Sequence, residues 1–204
     1  MSVSRETQRD VFGEHLKTVE KYVDFVGTQG VERGLIGPRE TDRLWDRHMI
    51  NSALMLPRVP VGATVADVGS GAGLPGMVWA IARPDLHVTL IEPLLRRATF
   101  LQEAIDLLGL SQVTVLRERA EDVSLTFDVV TARAVAALPK LSNWCMPLVR
   151  PGGLFLALKG RTAEDEVAKS RSTLKRLGAT SVDIVRYEFP GDSTMDVTVV
   201  EVVK

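Results

Sequence analysis

One stretch constrains this chain more than any other: a short apolar run that breaks into closely spaced glycines, Val65-Ala66-Asp67-Val68-Gly69-Ser70-Gly71-Ala72-Gly73-Leu74-Pro75-Gly76. A buried strand that enters such a loop and leaves it as a helix opens a βαβ unit. Glycine supplies the tight turn, and the bare backbone lets main-chain N–H groups meet a ligand at the helix start. Glu92 ends the next apolar run, 23 residues after Gly69. A carboxylate there can accept hydrogen bonds from both hydroxyls of a ribose.

From residue 64 onward, short apolar runs alternate with longer amphipathic ones, the pattern of a parallel sheet with crossover helices. Strands are expected at 64–68, 87–92, 113–116, 127–131 and 154–158, with helices at about 75–83, 94–108, 138–148 and 162–177. Gly109 and Gly178 stand where helices end. The last two β-rich runs, VDIVRYEF and MDVTVVEVV, are joined only by Pro190-Gly191-Asp192-Ser193. That joint is too short for a crossover helix, so the two runs should pair antiparallel. Dinucleotide-binding sheets usually finish all-parallel, whereas the methyltransferase variant carries a reversed last strand. The expected fold is therefore α/β: a Rossmann-like class I S-adenosylmethionine-dependent methyltransferase with a seven-stranded, mostly parallel sheet and a reversed final strand.

Ahead of the sheet, Phe12, Leu16, Val19, Val23 and Val26 recur at helical spacing until Gly27 and Gly30. A second helix is expected from about Pro38 to Pro57, with Leu44, His48, Ser52 and Leu56 on one face. At 204 residues, the expectation is one domain, with 1–60 as an N-terminal helical cap and 61–204 as the core. No apolar run reaches the roughly 18 to 20 residues of a membrane helix, and the polar N-terminus does not read as a signal peptide, so the chain is expected in the cytoplasm. A single cysteine and three scattered histidines offer no metal-ligand spacing. With 25 Lys+Arg against 26 Asp+Glu, overall charge lends nucleic-acid binding no support, and any case for it must rest on local clusters.

Within the loop, Gly71 to Gly76 also fits the dinucleotide fingerprint, a weak signal when it stands alone. Asp67, two residues before Gly69, would repel a pyrophosphate and suits the cationic amino-acid end of S-adenosyl-L-methionine. Arg119-Ala120-Glu121-Asp122, after the third strand, lies where an adenine edge would be read by a backbone amide and a carboxylate, although Asp122 could equally cap a short helix. The cofactor expected from these residues is S-adenosyl-L-methionine, with S-adenosyl-L-homocysteine as its product and no metal.

The choice of target is narrowed by what the chain lacks. After the fourth strand it reads Thr131-Ala132-Arg133-Ala134, not the Asn/Asp-Pro-Pro-aromatic loop used on exocyclic amines. Cys145, the one thiol, falls inside an expected core helix beside Trp144 and Met146 and is a poor nucleophile for cytosine C5. Guanine N7 has a free lone pair and no proton to lose, so its methylation needs positioning and no general base. Arg133, Lys159 and Arg161 at the strand ends suit that task. An arginine forked onto both O6 and N7 would block the reacting atom, so Arg133 should bind O6 alone, a phosphate or the cofactor. His48 either joins the site or packs beside Trp45. Arg39, Arg43 and Arg47 on the second helix, Arg96 and Arg97, and Arg117 and Arg119 flank the same sheet edge. Lys169, Arg171, Lys175 and Arg176 read as a solvated helix face.

These residues together, Asp67 to Gly76 with Arg83-Pro84, Arg47-His48, Arg96-Arg97 followed by Phe100-Leu101, Arg133-Ala134 and Ala157-Leu158-Lys159-Gly160, resemble the glucose-inhibited division protein B family over about residues 38–204. Members are guanine-N7 methyltransferases of the small-subunit ribosomal RNA. The resemblance implies cofactor contacts at Gly69, Leu74, Ala120, Glu121 and Arg133, with Glu92 as the ribose acid. It implies as substrate a guanine in the decoding-region loop of 16S rRNA. Many members carry Asn-Leu-Thr ahead of the second helix, where this chain has Gly34-Leu35-Ile36-Gly37-Pro38, a departure that points to an actinobacterial type.

Arg133, Lys159 and His48 are expected to be catalytic, and Asp67, Gly69, Gly71, Gly73, Leu74, Glu92, Ala120, Glu121 and Arg133 to bind the cofactor. RNA contacts fall to Arg47, Arg96, Arg97, Arg119 and Arg161. The partner is 16S rRNA or the small ribosomal subunit, with no membrane and no obligate protein partner. Three alternatives stay open on the residues alone: a nicotinamide-dependent oxidoreductase, a small-molecule methyltransferase and a non-catalytic RNA-binding module.

Overall fold

In the computed structural model, which describes residues 3–190 and 192–204, a seven-stranded sheet runs in the order β3-β2-β1-β4-β5-β7-β6. Its strands are β1 (Thr64–Val68), β2 (His87–Ile91), β3 (Val113–Leu116), β4 (Phe127–Arg133), β5 (Val149–Lys159), β6 (Ser181–Phe189) and β7 (Asp192–Val203). The first five pair parallel. β7 inserts antiparallel between β5 and β6, so the reversed final strand is as expected. Gly191, inside the connecting turn, lies outside the described residues.

Both faces of the sheet are covered, which is why its strands are apolar on both sides. Alternation assigns the faces. Val65, Val88, Leu90, Val129, Leu156 and Val199 join a core beneath the N-terminal helices, α4 (Gly76–Ala82) and α5 (Leu95–Leu108). Ala66, Ile91, Val130, Phe155, Ala157 and Val200 point the other way, into a core under α6 (Leu138–Cys145) and α7 (Ala163–Arg176). Fully buried Trp79 contributes about 3 kcal/mol or more of apolar burial. Its indole N–H donates to Ser52 O at 2.7 Å, tying α4 to the helical segment before the sheet.

Several expectations need correction. The glycines at 27 and 30 do not end the first helical region: α1 (Arg5–Phe12) and α2 (Leu16–Phe25) are followed by a π-helical turn, Val26–Gly30, that carries the chain onward. The apolar stripe uses Tyr22, fully buried, where the spacing suggested Val23, which is only partly buried. The second helix is not one regular helix. It is a 3₁₀ segment (Pro38–Arg43), a π-helical segment (Leu44–Ile50) and the short α3 (Asn51–Ala53). Leu44, His48 and Ser52 still face inward together, but Leu56, expected on the same face, is only partly buried and lies in a separate 3₁₀ turn, Leu56–Arg58. β4 also runs two residues further than expected, to Arg133, and β5 begins at Val149, ahead of an irregular stretch at Gly152-Gly153. There a Cβ on Gly153 would lie 2.8 Å from Asp128 O.

Candidate active site

The parallel strands all end at one sheet edge, and the strand order reverses between β1 and β4, where ligands of open α/β sheets bind. The loop after β1 turns through positive φ at Gly69 (69°), Gly71 (59°) and Gly73 (91°). Gly73 is required twice over, since a Cβ there would stand 2.5 Å from both Met77 Cγ and Tyr22 Oη. Gly76 lets α4 lie close on the sheet: its Cβ would come within 2.6 Å of Leu90 Cδ2 and 2.8 Å of Asp67 Cβ.

Two carboxylates organise this loop. Glu92, 1% exposed, accepts from Gly71 N at 3.1 Å and from Leu94 N at 3.1 Å, with Arg97 at 3.7 Å. It is thereby held at the head of β2. Asp67 is fully buried, its Oδ2 accepting from Gly76 N at 3.0 Å and its Oδ1 unpartnered among the described residues. Burial pushes its carboxyl up to about 7, outweighing the Gly76 N–H and nearby Arg133.

Three cavities meet at Ala134, the residue after β4, whose φ of 55° is the one positive value on a non-glycine residue among those described. Such a conformation costs about 1–2 kcal/mol and concentrates at functional sites. A cavity of ≈650 Å³ is bounded by Gly69, Glu92, Ala120, Glu121, Val135 and Trp144. A smaller one of ≈250 Å³ opens on Gly71, Leu74, His48 and Arg133. The third, ≈550 Å³, is lined by Arg47, Arg133, Lys159, Arg161, Glu166 and Asp196. Cofactor-type and substrate-type residues thus fall into adjoining spaces, with Arg133 and Ala134 between them.

Arg133 donates through Nη2 to His48 Nδ1, and its Nη1 is buried without a partner among the described residues. Burial, with Arg47 nearby, holds its guanidinium below the usual arginine range. His48 is 5% exposed and its Nε2 meets Glu40 Oε2 at 3.0 Å. Burial and the Arg133 charge depress its imidazole to about 4, against the upward pull of Glu40, so the ring is neutral at neutral pH. Lys159 Nζ donates to Ala136 O at 2.8 Å and pairs with Glu166 at 2.9 Å. Arg47 is half exposed and bonded to Glu40 at 3.1 Å. Arg96 and Arg119 are exposed on the rim, as is Arg161.

Several residues here carried no signal in the sequence. Tyr22 donates to Ala72 O from the apolar stripe of α2, and Glu40 and Glu166 read as ordinary helix acids. Ala134 lacks the glycine that usually flags a left-handed residue. Asp122 ends the 3₁₀ turn Ala120–Asp122 and does not cap it. Cys145 is buried in the core, its thiol raised by burial, in keeping with an inert role. No group of three or more His, Cys, Asp or Glu placed to hold a metal occurs among the described residues, and no described helix is long and apolar enough to cross a membrane.

A family model described as GidB, rRNA small subunit methyltransferase G, matches residues 15–190. A protein of Thermobifida fusca named ribosomal RNA small subunit methyltransferase G is 53% identical over 186 residues, covering 90% of this chain and 78% of that one. A Streptomyces avermitilis protein of the same name is 50% identical over 194 residues, covering 94% and 80%. Among solved structures, an O-methyltransferase from Bacillus cereus in complex with SAH superposes with a TM-score of 0.62 at 15% identity, covering 98% of this chain and 96% of that one. That likeness bears on the fold, a class I methyltransferase fold.

Proposed function

Because the chain belongs to the rRNA small subunit methyltransferase G family, we propose that it transfers a methyl group from S-adenosyl-L-methionine to N7 of a guanine in 16S rRNA. When bound, the cofactor supplies an electrophilic methyl on a sulfonium, leaving S-adenosyl-L-homocysteine. The donor set fits it. Glu92 is a buried carboxylate suited to a ribose, and apolar walls with the Ala120–Glu121 backbone suit an adenine. The unpartnered Arg133 Nη1 suits a carboxylate or the edge of the target base. Asp67 acts from beneath, shaping the loop through Gly76.

One observation carries the choice of N7: the cavity beside Arg133 contains no uncommitted base among its described lining residues. Glu166 is engaged by Lys159 and Leu138 N, and Asp196 by Arg186 at 2.9 Å. His48 already uses both ring nitrogens. Such a site can orient a nucleophile but has nothing free to deprotonate one, and N7 alone among guanine's nitrogens on the major-groove edge needs only orientation. Arg133 positions the base through O6, and Lys159 braces the wall. Arg47, Arg96, Arg97, Arg119 and Arg161 hold phosphates.

The acting compartment is the cytoplasm, where rRNA matures. The partner is the small subunit or its rRNA, and no protein partner is needed to complete the site. Residues 1–60 serve as a cap over the core. A 16S transcript carrying 7-deazaguanine for guanine should accept no methyl groups under conditions where the unmodified transcript does. Equal transfer to both would rule out N7.

A further inference from the structure

Glu40 stands eight residues before His48, on the 3₁₀ segment Pro38–Arg43, and faces the π-helical segment that carries Arg47 and His48. We propose that Glu40 is a positioning residue, holding His48 as its Nε2–H tautomer so that Nδ1 stays free to accept from Arg133.

Both ends of the histidine demand the same tautomer. A guanidinium only donates, so Nδ1 must accept from Arg133. A carboxylate only accepts, so Nε2 must donate to Glu40. The wide π-helical turn Leu44–Ile50 holds the ring inward at this register while Arg47 stays at the surface and pairs with the other oxygen of Glu40, Oε1, at 3.1 Å. Without Glu40, a buried Nε2–H would have no acceptor. The opposite tautomer would then set an N–H against the Arg133 guanidinium. Since Nη1 of Arg133 has no partner among the described residues, the His48 bond is what orients the guanidinium plane between the two cavities. The groups facing His48 are Glu40, Arg47 and Arg133, with Tyr22 and Asp67 behind Arg133. None of the chemistry requires Glu40 to touch the substrate.

The catalytic consequence rests on the reading above, in which Arg133 positions the target base, but the tautomer does not. Nitrogen-15 NMR of the protein labelled in histidine, with the His48 signals assigned by their loss in His48→Asn, reads the tautomer directly. The wild type should show protonated Nε2 and bare Nδ1. Glu40→Leu should shift the ring toward the Nδ1–H form or a mixture, while Glu40→Gln, whose amide oxygen still accepts, should keep the wild-type pattern.

In kinetics on 16S rRNA, Glu40→Leu should lower kcat about tenfold and Glu40→Gln restore most of it. Adding Glu40→Leu to His48→Asn, whose amide oxygen accepts from Arg133 without help, should change kcat no further. An unchanged tautomer in Glu40→Leu overturns the inference, whatever the rate. So does an equal loss in Glu40→Leu and Glu40→Gln, which would assign Glu40 to charge pairing with Arg47. If the tautomer responds as stated but Arg133→Ala keeps full activity, the role of Glu40 on His48 stands and the reading of Arg133 fails.

Discussion

Tyr22 donates its hydroxyl to the carbonyl of Ala72 across fifty residues of sequence, pinning the centre of the glycine loop to the second helix of the chain. The residue is fully buried, and burial raises its phenol well above the usual range, so it stays a neutral donor at any working pH. The helical region before the sheet is thereby part of what shapes the crevice.

Replacing Tyr22 by Phe removes this donor while keeping the ring. The Ala72 carbonyl is then buried without a partner, at a cost of about 1–3 kcal/mol. Thermal unfolding should register that loss, and calorimetric titration with S-adenosyl-L-homocysteine should show affinity weakened several-fold. Lower stability with unchanged affinity would mean that the bond serves the fold and not the loop.

Gly76→Ala should be among the more damaging single-methyl changes in the chain. Its new carbon meets Leu90, in the core, and the backbone-anchored Asp67, so α4 must move off the sheet. Overpacking of this kind costs about 1–3 kcal/mol. Gly37→Ala is the control, because its nearest neighbour, Glu40 Cγ, lies 3.9 Å away and its φ is −69°. Denaturant midpoints of the two variants test the contrast, and equal midpoints would contradict it.

Asp67 should leave a signature in the pH dependence of stability. Its folded-state value, raised from 3.8 to about 7, means that the native protein retains a proton the unfolded chain has released between those values. Its contribution is therefore complete below about pH 4 and is lost as pH rises toward 7 and beyond. Asp67→Asn, which still offers an oxygen to Gly76 N, should remove that decline. Relative to the wild type the variant should thus gain stability from about pH 4 to pH 7 and level off above that. A constant difference across that range would show that Asp67 is not protonated in the folded protein.

Exposed Arg96 and Arg119 are assigned to phosphates, and their contribution should be electrostatic and additive. Each change to Ala should reduce the slope of log affinity for rRNA against log salt by about 1. kcat at saturating RNA should hold. Affinities that fall without any change of slope would place these residues outside the RNA interface.

Much of the fold was readable because period-two apolar runs and glycine punctuation are local signals. Val65 to Gly76, Glu92 and the closing hairpin all declared themselves this way. The glycines at 27 and 30 misled, since a π-helical turn tolerates what a regular helix would not, and no residue pattern separates the two. Of the candidate site, the charged strand ends could be read: Arg133 and Lys159 line one cavity. The site's supports could not. Tyr22 looks like any member of an apolar stripe, Glu40 like any acid in a polar segment, and both acquire their roles from partners distant in sequence or on a turn of unusual pitch. Ala134 offers no clue to its left-handed backbone, because alanine adopts it only under tertiary constraint.

The claim on which the rest depends is methylation of a guanine at N7, and chain scission measures it. 16S rRNA from cells lacking this activity should be treated with the protein and S-adenosyl-L-methionine, reduced with borohydride and cleaved with aniline, which breaks the backbone only at N7-methylated guanine. A single new break within the decoding-region loop is the predicted result. Methyl incorporation without any aniline-sensitive site would contradict the account.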